Sequence, residues 1–510
     1  MNRGAWAELA AAGAVAASFF WMLGSAPLFD VDEGAFSQAT LEMFQRGDFL
    51  STYLNGAPRY DKPILVYWLQ AASVALLGPS ELAFRLPSAL CAAAWAWMTF
   101  AFTRKVFGGQ PARVAAVMLA TCLGVQIIGR AATADALLNS LIAAAMFAAW
   151  LHLSTAKRAW LYATHAAIGL GLLAKGPIAV LVPLAVTFLY CLSRKKVWEW
   201  AKAVFDWRAL LLLLAIATPW YAAILYKEGW AFIDGFIMRH NVGRFGGPLQ
   251  GHGGSLFYYF PVLLLLTLPF TAPLVLVARR WRDVWREDRS AYLLIWFLFV
   301  FVFFSLSGTK LPHYVLYGIT GLVILMAVHA GALRSAAWTL LPALLFLLVL
   351  LFLPAELGWL AGSVKNEYYR EVLAAADFSA LHVAFFVAAI ALAVYGMFER
   401  QLAPAAKLAA AGALSAIGMA SFVVPLAGAL QQGPIKEAAR LAREQKLEPV
   451  LWRLNTPSFS VYRGAPTATR EPKPGDVVLT RRDRLQGLPP GLPHQVLFSR
   501  HGIVLVRIGA

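Results

Sequence analysis

Charged residues are scarce in this sequence. Asp, Glu, Lys and Arg make up 14% of the 510 residues, whereas 60% are hydrophobic and the mean hydropathy is +0.63. A soluble domain carries about 25% charged residues. A chain with so little charge cannot cover itself with a polar surface, so composition excludes an ordinary soluble protein and predicts a polytopic integral membrane protein.

Cysteines, acidic residues and internal repeats are also few. Cys91, Cys122 and Cys191 each lie in an apolar run, which is typical of small buried hydrophobes and argues against a disulfide scaffold or a cysteine metal cluster. No internal repeat is visible, which disfavours a transporter built from inverted repeats. Lys and Arg outnumber Asp and Glu, 44 to 27, but they lie between apolar runs, so we expect cytoplasmic loops and no nucleic-acid partner.

Long apolar runs make up most of the chain, and each run of about 20 residues can cross a bilayer as a helix. The first run is interpreted as a span rather than as a signal peptide. Every second loop is basic, which places the N-terminus in the cytoplasm and the C-terminus outside. The sequence predicts an all-α membrane domain of thirteen spans, near residues 5–25, 84–104, 111–129, 133–153, 159–174, 177–193, 209–226, 256–278, 291–306, 312–331, 336–353, 379–398 and 405–428.

Three segments on the outer side are too long to be simple turns: 27–83, 227–255 and 354–378. In the first of them, residues 33–46 and 62–77 are predicted to form helices that lie on the membrane. The composition changes after residue 430 and becomes polar, charged and rich in proline. We therefore expect a membrane domain, 1–430, and a small extracytoplasmic α/β domain, 431–510.

Charged side chains occur at the predicted outer ends of several apolar runs. A charge at bilayer depth costs at least roughly 2.5–3.5 kcal/mol, so charges gathered on one face indicate a water-filled cavity. Lysines there suit a phosphorylated lipid, and a carboxylate can act as a general base on a hydroxyl. The alternative is a set of ordinary solvated loop charges. The candidates are Asp30, Asp32, Glu33, Arg59, Tyr60, Asp61, Lys62, Asp135, Lys175, Lys310 and Tyr314.

Two histidines, His240 and His252, lie twelve residues apart in a loop predicted to cover this cavity. With Asp61 as a third ligand they could bind a divalent metal, either Zn²⁺ or Mn²⁺/Mg²⁺, because imidazole and carboxylate donors suit these ions. The alternative is ordinary hydrogen bonding of loop histidines.

An ordered set of short motifs resembles the ArnT-type GT-C glycosyltransferases, within the wider protein-O-mannosyltransferase-like group. The resemblance covers roughly residues 5–330, and no single motif in the set is specific. It consists of Asp32-Glu33-Gly34, Gly47-Asp48-Phe49-Leu50, Leu54-Asn55-Gly56, Tyr60-Asp61-Lys62-Pro63, Arg85-Leu86-Pro87-Ser88, Asp135, Lys175-Gly176-Pro177, His240, Arg244-Phe245, His252, Tyr258-Tyr259 and Lys310-Leu311-Pro312-His313-Tyr314.

The resemblance implies a thirteen-span GT-C fold with a periplasmic tail domain, in the bacterial inner membrane. It implies an inverting transferase that moves a sugar from polyprenyl (undecaprenyl) phosphate to an extracytoplasmic acceptor. We expect 4-amino-4-deoxy-L-arabinose as the sugar, lipid A as the acceptor and a monomeric enzyme among membrane lipids. Another sugar, a protein or glycan acceptor, a flippase or transporter, and a non-catalytic scaffold are the alternatives.

Roles follow for the candidate residues. Asp32 corresponds to the family's candidate base, and Asp135 is expected to orient a lysine or the sugar. The donor phosphate is assigned to Lys62, Lys175, Lys310 and Arg244, and the substrate cavity to Glu33, Arg59, Tyr60 and Tyr314. The family's metal pocket corresponds to Asp61 with His240 or His252.

The sequence departs from the family's pattern at two places. Relatives closest to the aminoarabinose enzymes carry Arg-Tyr just after the Asp-Glu pair, where this chain has Ala35 and Phe36. A residue that is often acidic before the loop histidine is Arg239. These departures concern the sugar more than the reaction class.

Overall fold

The computed structural model describes residues 3–243, 253–488 and 493–509, without the side chains of residues 3 and 240–242. The first half of the described chain is almost entirely helical. It comprises Arg3–Phe20, Asp32–Arg46, Leu65–Leu77, Glu81–Phe107, Gly109–Thr121, Leu123–Arg130, Asp135–Thr155, Arg158–Lys175, Ile178–Ser193, Val197–Val204, Trp207–Glu228, Trp230–Phe232 and the π-helix Ile233–Val242.

The second half continues in the same way up to the C-terminal domain. Its α-helices are Tyr259–Leu266, Thr271–Arg279, Trp281–Arg286, Asp288–Leu306, Ile319–His329, Ala336–Ser363, Glu367–Ala374, Ala380–Phe398, Pro404–Gly418, Val424–Gln431, Gly433–Glu444 and Pro457–Arg463. Short 3₁₀ turns cover Pro312–Gly318, Ala330–Ala332 and Arg482–Gly487, and a π-helical stretch covers Met419–Val423.

Each of the thirteen predicted spans coincides with a helix or a pair of helices, which confirms an α-helical membrane domain. Among the described residues, eight helices are long and apolar enough to cross a membrane, or nine if one bent pair is a single span. That pair, Gly109–Thr121 and Leu123–Arg130, meets at an angle of 64°. The predicted span 256–278 is broken before Thr271–Arg279, where Pro269 offers no backbone N–H. The total of thirteen therefore stays a prediction.

The core of the membrane domain consists of side chains that no water or lipid reaches. Trp95 and Trp296 are fully buried. The indole N–H of Trp95 donates to the Thr320 hydroxyl at 2.9 Å, and that of Trp296 donates to the Tyr317 carbonyl at 2.8 Å. A buried indole needs such a partner. These contacts hold the 3₁₀ turn Pro312–Gly318, which carries part of the candidate site, against the surrounding helices.

The segment 27–83 forms two helices joined by a hairpin of β1 (Tyr53–Leu54) and β2 (Ala57–Pro58). Both helices were predicted. The first, Asp32–Arg46, differs from expectation because residues 33–40 are all buried, so it does not lie on the membrane with one face in water. The helix Pro457–Arg463 of the C-terminal domain covers it. The second, Leu65–Leu77, exposes Leu76 and Leu77, as a helix in contact with lipid would.

The C-terminal domain is a four-stranded sheet with helices, in agreement with the predicted α/β domain. Its strands are β3 (Pro449–Leu451), β4 (Val477–Arg481), β5 (His494–Arg500) and β6 (Ile503–Ile508), in the order β3-β4-β6-β5. In this sheet β3 and β4 are parallel, whereas β4 with β6 and β6 with β5 are antiparallel. The helix Gly433–Glu444 packs its alanine-rich face on the sheet, where Ala438 and Ala439 meet Leu479 and Leu505 in one buried cluster.

Candidate functional site

Asp135 and Lys175 form the centre of the site. Asp135 begins the helix Asp135–Thr155 and Lys175 ends the helix Arg158–Lys175, which are the ends that favour an acid and a base respectively. The Lys175 Nζ lies 2.5 Å from Asp135 Oδ1 and donates to the Tyr317 hydroxyl at 2.9 Å. The His313 Nε2 lies 3.7 Å from the same Asp135 oxygen. Four chemically active groups therefore meet at one point.

Two further predicted residues reach this cluster through electrostatics. Asp32 and Lys62 both lie close enough to interact with His313, and Lys62 also interacts with Asp135. The Lys62 ammonium donates to the Asp61 carbonyl at 3.0 Å. Asp32 is exposed at the start of its helix, so its carboxylate is open to a substrate. The structure brings together four of the predicted acids and bases, Asp32, Lys62, Asp135 and Lys175, from separate segments of the chain.

The loop that carries Lys62 is held by Arg59. The Arg59 guanidinium lies 3.0 Å from Asp61 Oδ2, donates to the Tyr67 hydroxyl at 3.3 Å and packs over the Phe36 ring. Burial alone would lower the pKa of Arg59, but Tyr67 and Asp61 outweigh it and raise the pKa above its ordinary value. Arg59 therefore stays charged and fixes the loop beside Asp32, with which it also interacts electrostatically.

Tyr60 connects this loop to the helix Trp207–Glu228. Its hydroxyl donates to Glu228 Oε2 at 2.8 Å, while Ser51 donates to the other Glu228 oxygen at 2.6 Å. Burial and the neighbouring Glu228 raise the pKa of Tyr60 to about 12. Lys227, the residue before Glu228, forms an ion pair with Asp48. Tyr60, expected in the substrate cavity, thus contributes an anchor of the loop.

Glu33 corrects one expectation. It was assigned to the substrate cavity, but it is 3% exposed and paired with Arg85 through two hydrogen bonds of 2.8 and 2.6 Å. Its carboxylate also accepts from the N–H groups of Phe29 and Ala132. A buried carboxylate needs such partners. Glu33 finds them inside the protein, so its oxygens are already occupied by Arg85 and by backbone N–H groups. The sequence analysis gives Arg85 only as part of a motif. A lone arginine in an apolar helix indicates that an acid lies near it, and this signal could have identified the pair.

Lys310 and Tyr314 lie on the other side of the cluster. Lys310 is buried, and its ammonium donates to the carbonyls of Ser305 (2.9 Å) and Ser307 (2.7 Å) at the end of the helix Asp288–Leu306. These bonds satisfy carbonyls that a helix end leaves open. Tyr314 packs between Phe304 and His313. The assignment of Lys310 to a phosphate remains a prediction, and it requires the ammonium to keep one donor for the ligand.

The metal site also remains a prediction. Within 3–243, 253–488 and 493–509, no group of three His, Cys, Asp or Glu side chains is arranged so that it could hold a metal ion, and Asp61 is already paired with Arg59. Arg244, His252 and the side chain of His240 lie outside the described residues.

The roles of His313 and Tyr317 were missed by the sequence analysis. His313 was quoted in a motif without a function, and Tyr317 was not considered. Both belong to the turn Pro312–Gly318. A polar and aromatic turn at the start of an apolar run was the available signal.

Comparison with known proteins supports the resemblance. The family model "Dolichyl-phosphate-mannose-protein mannosyltransferase" matches residues 61–222. An undecaprenyl phosphate-alpha-4-amino-4-deoxy-L-arabinose arabinosyl transferase of Pseudomonas fluorescens is 29% identical over 58% of this chain and 52% of its own length. A transferase of the same description from Sodalis glossinidius is 32% identical over 61% and 57%. The chain thus spans little more than half the length of these curated relatives.

The fold has solved counterparts. The crystal structure of ArnT from Cupriavidus metallidurans bound to undecaprenyl phosphate aligns over 99% of this chain and 98% of its own, with a TM-score of 0.82 and 20% identity. The Archaeoglobus fulgidus oligosaccharyltransferase aligns over 92% and 64%, with a TM-score of 0.52 and 15% identity. The predicted resemblance to ArnT-like GT-C glycosyltransferases is confirmed, and so is the predicted fold, apart from the number of spans.

Proposed function

We propose that the protein is a membrane glycosyltransferase that uses a sugar carried on a polyprenyl phosphate, with undecaprenyl phosphate as the lipid. The observation that carries the proposal is the cluster of Asp32, Lys62, Asp135, Lys175 and His313 in an ArnT-like fold. It offers an exposed carboxylate next to two partly buried lysines, which is the combination required by a phosphate leaving group and an acceptor hydroxyl.

In the proposed reaction, Asp32 takes the proton of an acceptor hydroxyl. The hydroxyl oxygen attacks the anomeric carbon from the side opposite the phosphate, so that the new C–O bond forms as the bond to the phosphate breaks, with inversion. The polyprenyl phosphate leaves with the bonding electrons. Lys62 and Lys175 stabilise its charge, as point charges suited to phosphate, and Asp135 holds Lys175 in place.

We infer that the sugar is 4-amino-4-deoxy-L-arabinose, in line with the names of the relatives, and that the acceptor is lipid A, as the resemblance to ArnT-type enzymes implies. Ala35 and Phe36 stand where family members similar to the aminoarabinose enzymes carry Arg-Tyr, a departure that concerns the sugar more than the reaction class. The proposed setting is the bacterial inner membrane, with a cytoplasmic N-terminus. The site and the C-terminal domain would then face the periplasm, because every second loop is basic.

The test is transfer by the purified protein in liposomes that contain the lipid-linked sugar and lipid A, without an ion gradient. We expect lipid A to gain the mass of one sugar, and Asp32→Asn to abolish the gain while it leaves folding and donor binding intact. Normal turnover by Asp32→Asn would remove Asp32 as the base. Movement of the donor across the bilayer without product would favour a flippase. Transfer to a protein or glycan instead of lipid A would overturn lipid A as the acceptor.

A further inference from the structure

The C-terminal domain touches the chain two residues before the proposed base. Both carboxylate oxygens of Asp30 accept hydrogen bonds from Ser458: the backbone N–H donates to Oδ1 at 2.9 Å and the hydroxyl donates to Oδ2. Gln432 faces the same residue. With its amide oriented to match donors and acceptors, it donates to Asp30 Oδ2 (3.1 Å) and accepts from the Asp30 N–H (3.3 Å).

The fit at this contact leaves no room for a side chain on the facing helix. A Cβ atom on Gly34 would lie 2.4 Å from the Ser458 nitrogen and 2.2 Å from Asp30 Oδ1. Both distances are far below van der Waals contact. The close approach of the helix Pro457–Arg463 to the first turn of Asp32–Arg46 therefore requires a glycine at position 34. The contact depends on particular residues of both segments, Gly34 on one side and Ser458 on the other.

Two further residues of the same short helix bind the segment 27–83, but farther along the chain from Asp32. The Tyr462 hydroxyl accepts from the Leu28 N–H at 2.6 Å and donates to Glu81 at 3.2 Å. The Ser460 hydroxyl donates to Asn55 at 2.7 Å. Ser458 and Ser460 thus make bonds of the same kind from one helix, and only the Ser458 bond ends within two residues of the proposed base.

We propose that Ser458 is a positioning residue for the transfer reaction. By holding both oxygens of Asp30, the C-terminal domain fixes the backbone that enters the helix Asp32–Arg46 and thereby the direction in which the Asp32 carboxylate points. Asp32 is exposed at the start of its helix, so the anchored backbone that enters the helix contributes directly to the geometry of its carboxylate. A displacement of about 1 Å at a reacting group can cost roughly 100-fold in rate. This inference rests on the transferase function proposed above.

The test compares Ser458→Ala with Ser460→Ala as the matched control and Ser458→Thr as the conservative rescue, in the liposome transfer assay. We expect Ser458→Ala to lower kcat by about 10- to 100-fold with little change in the KM for the lipid-linked donor. Ser460→Ala is expected to differ from wild type by less than about threefold, and Ser458→Thr to recover most of kcat. Equal rates for the two alanine variants, or a loss confined to KM, would overturn the proposal.

Hydrogen exchange of the full-length protein separates this proposal from the transferase function. We expect faster exchange of the N–H groups of residues 30–36 in Ser458→Ala than in Ser460→Ala. If wild type forms no product and this difference is present, the transferase function fails while the anchoring contact stands. If exchange is unchanged, the positioning role is overturned whatever the activity.

Discussion

Two ion pairs of low exposure, one buried and one partly buried, lie close together in this protein, and they are built differently. In the Glu33–Arg85 pair the side chains are 5% and 4% exposed, and in the Asp135–Lys175 pair they are 13% and 10% exposed. The first pair is joined by two parallel hydrogen bonds. The second is joined by one contact.

The difference lies in how much bonding capacity each pair keeps. Arg85 also donates to the carbonyls of Leu23, Ala26 and Pro27, so this pair is saturated by the protein. Lys175 has three N–H donors, and the described residues that accept from it are Asp135 and Tyr317. Burial of an ion pair therefore does not identify a functional site. A hydrogen-bond donor that remains available to a ligand does identify one. By this criterion the Glu33–Arg85 pair is structural and the Asp135–Lys175 pair belongs to the candidate site.

Removal of Arg85 should have the largest effect on stability. Arg85→Met leaves the Glu33 carboxylate buried without its cation, which typically costs about 3–5 kcal/mol. We expect a strongly lowered melting temperature in detergent and a low yield of folded protein. The double variant with Glu33→Met should recover much of the loss, since both charges are gone. A stable but inactive Arg85→Met would contradict the structural assignment.

Removal of Lys175 should separate activity from stability. Loss of one group that stabilises developing charge typically costs 10²–10³-fold in kcat, about 2.7–4 kcal/mol. We therefore expect Lys175→Met to lose transfer to this extent, with a smaller change in melting temperature than Arg85→Met. The matched control is Lys407→Met, which removes a buried lysine bonded to the Glu399 carbonyl and should keep full activity. Comparable turnover by the two variants would refute the assignment of Lys175.

Asp30 extends the comparison to a buried acid that is bound by hydroxyl and amide groups. Burial raises the pKa of Asp30 from 3.8 to about 7, although the hydrogen bonds from Ser458 oppose the shift. The folded protein therefore binds this proton more tightly than the unfolded chain, so its contribution to stability falls as the pH rises from about 4 to 7.

We expect the Asp30→Asn variant to show a smaller decrease in melting temperature between pH 5 and pH 7.5 than wild type. Ser458→Ala should show a larger decrease, because it removes the hydroxyl hydrogen bond, which favours the ionised form of Asp30. An Asp30→Asn variant with the full wild-type decrease would show that this carboxyl does not titrate in the range.

The smallest effect should come from an exposed pair in the C-terminal domain. Arg470 binds Asp476 through two hydrogen bonds of 2.6 and 2.9 Å, with 39% of the arginine side chain exposed. Exposed pairs contribute about 0.2–1 kcal/mol. Arg470→Gln should therefore leave transfer unchanged and shift the melting temperature slightly, and the shift should shrink further in high salt. A large decrease in melting temperature would show that the exposure of an ion pair does not predict its contribution to stability.

Much of the candidate site was predictable because its members are charged residues at the ends of apolar runs. Asp32, Lys62, Asp135 and Lys175 were identified in this way, and the structure brings them to one cluster. Glu33 was assigned to the wrong environment because its partner, Arg85, lies 52 residues away. Nothing local distinguishes it from Asp32, its neighbour. Ser458 was not identified at all, since its contact with Asp30 joins residues 428 positions apart.

By itself the sequence determined the membrane class, the positions of the helical runs, the presence of a small C-terminal domain and the resemblance to ArnT-type enzymes. These properties depend on hydropathy, charge and motif order, which are local or sequential. Only the tertiary structure decided which acid pairs with which base, which pair is saturated and how the C-terminal domain reaches the proposed base. Those depend on contacts between distant segments, and two adjacent carboxylates such as Asp32 and Glu33 acquire different roles only when such contacts form.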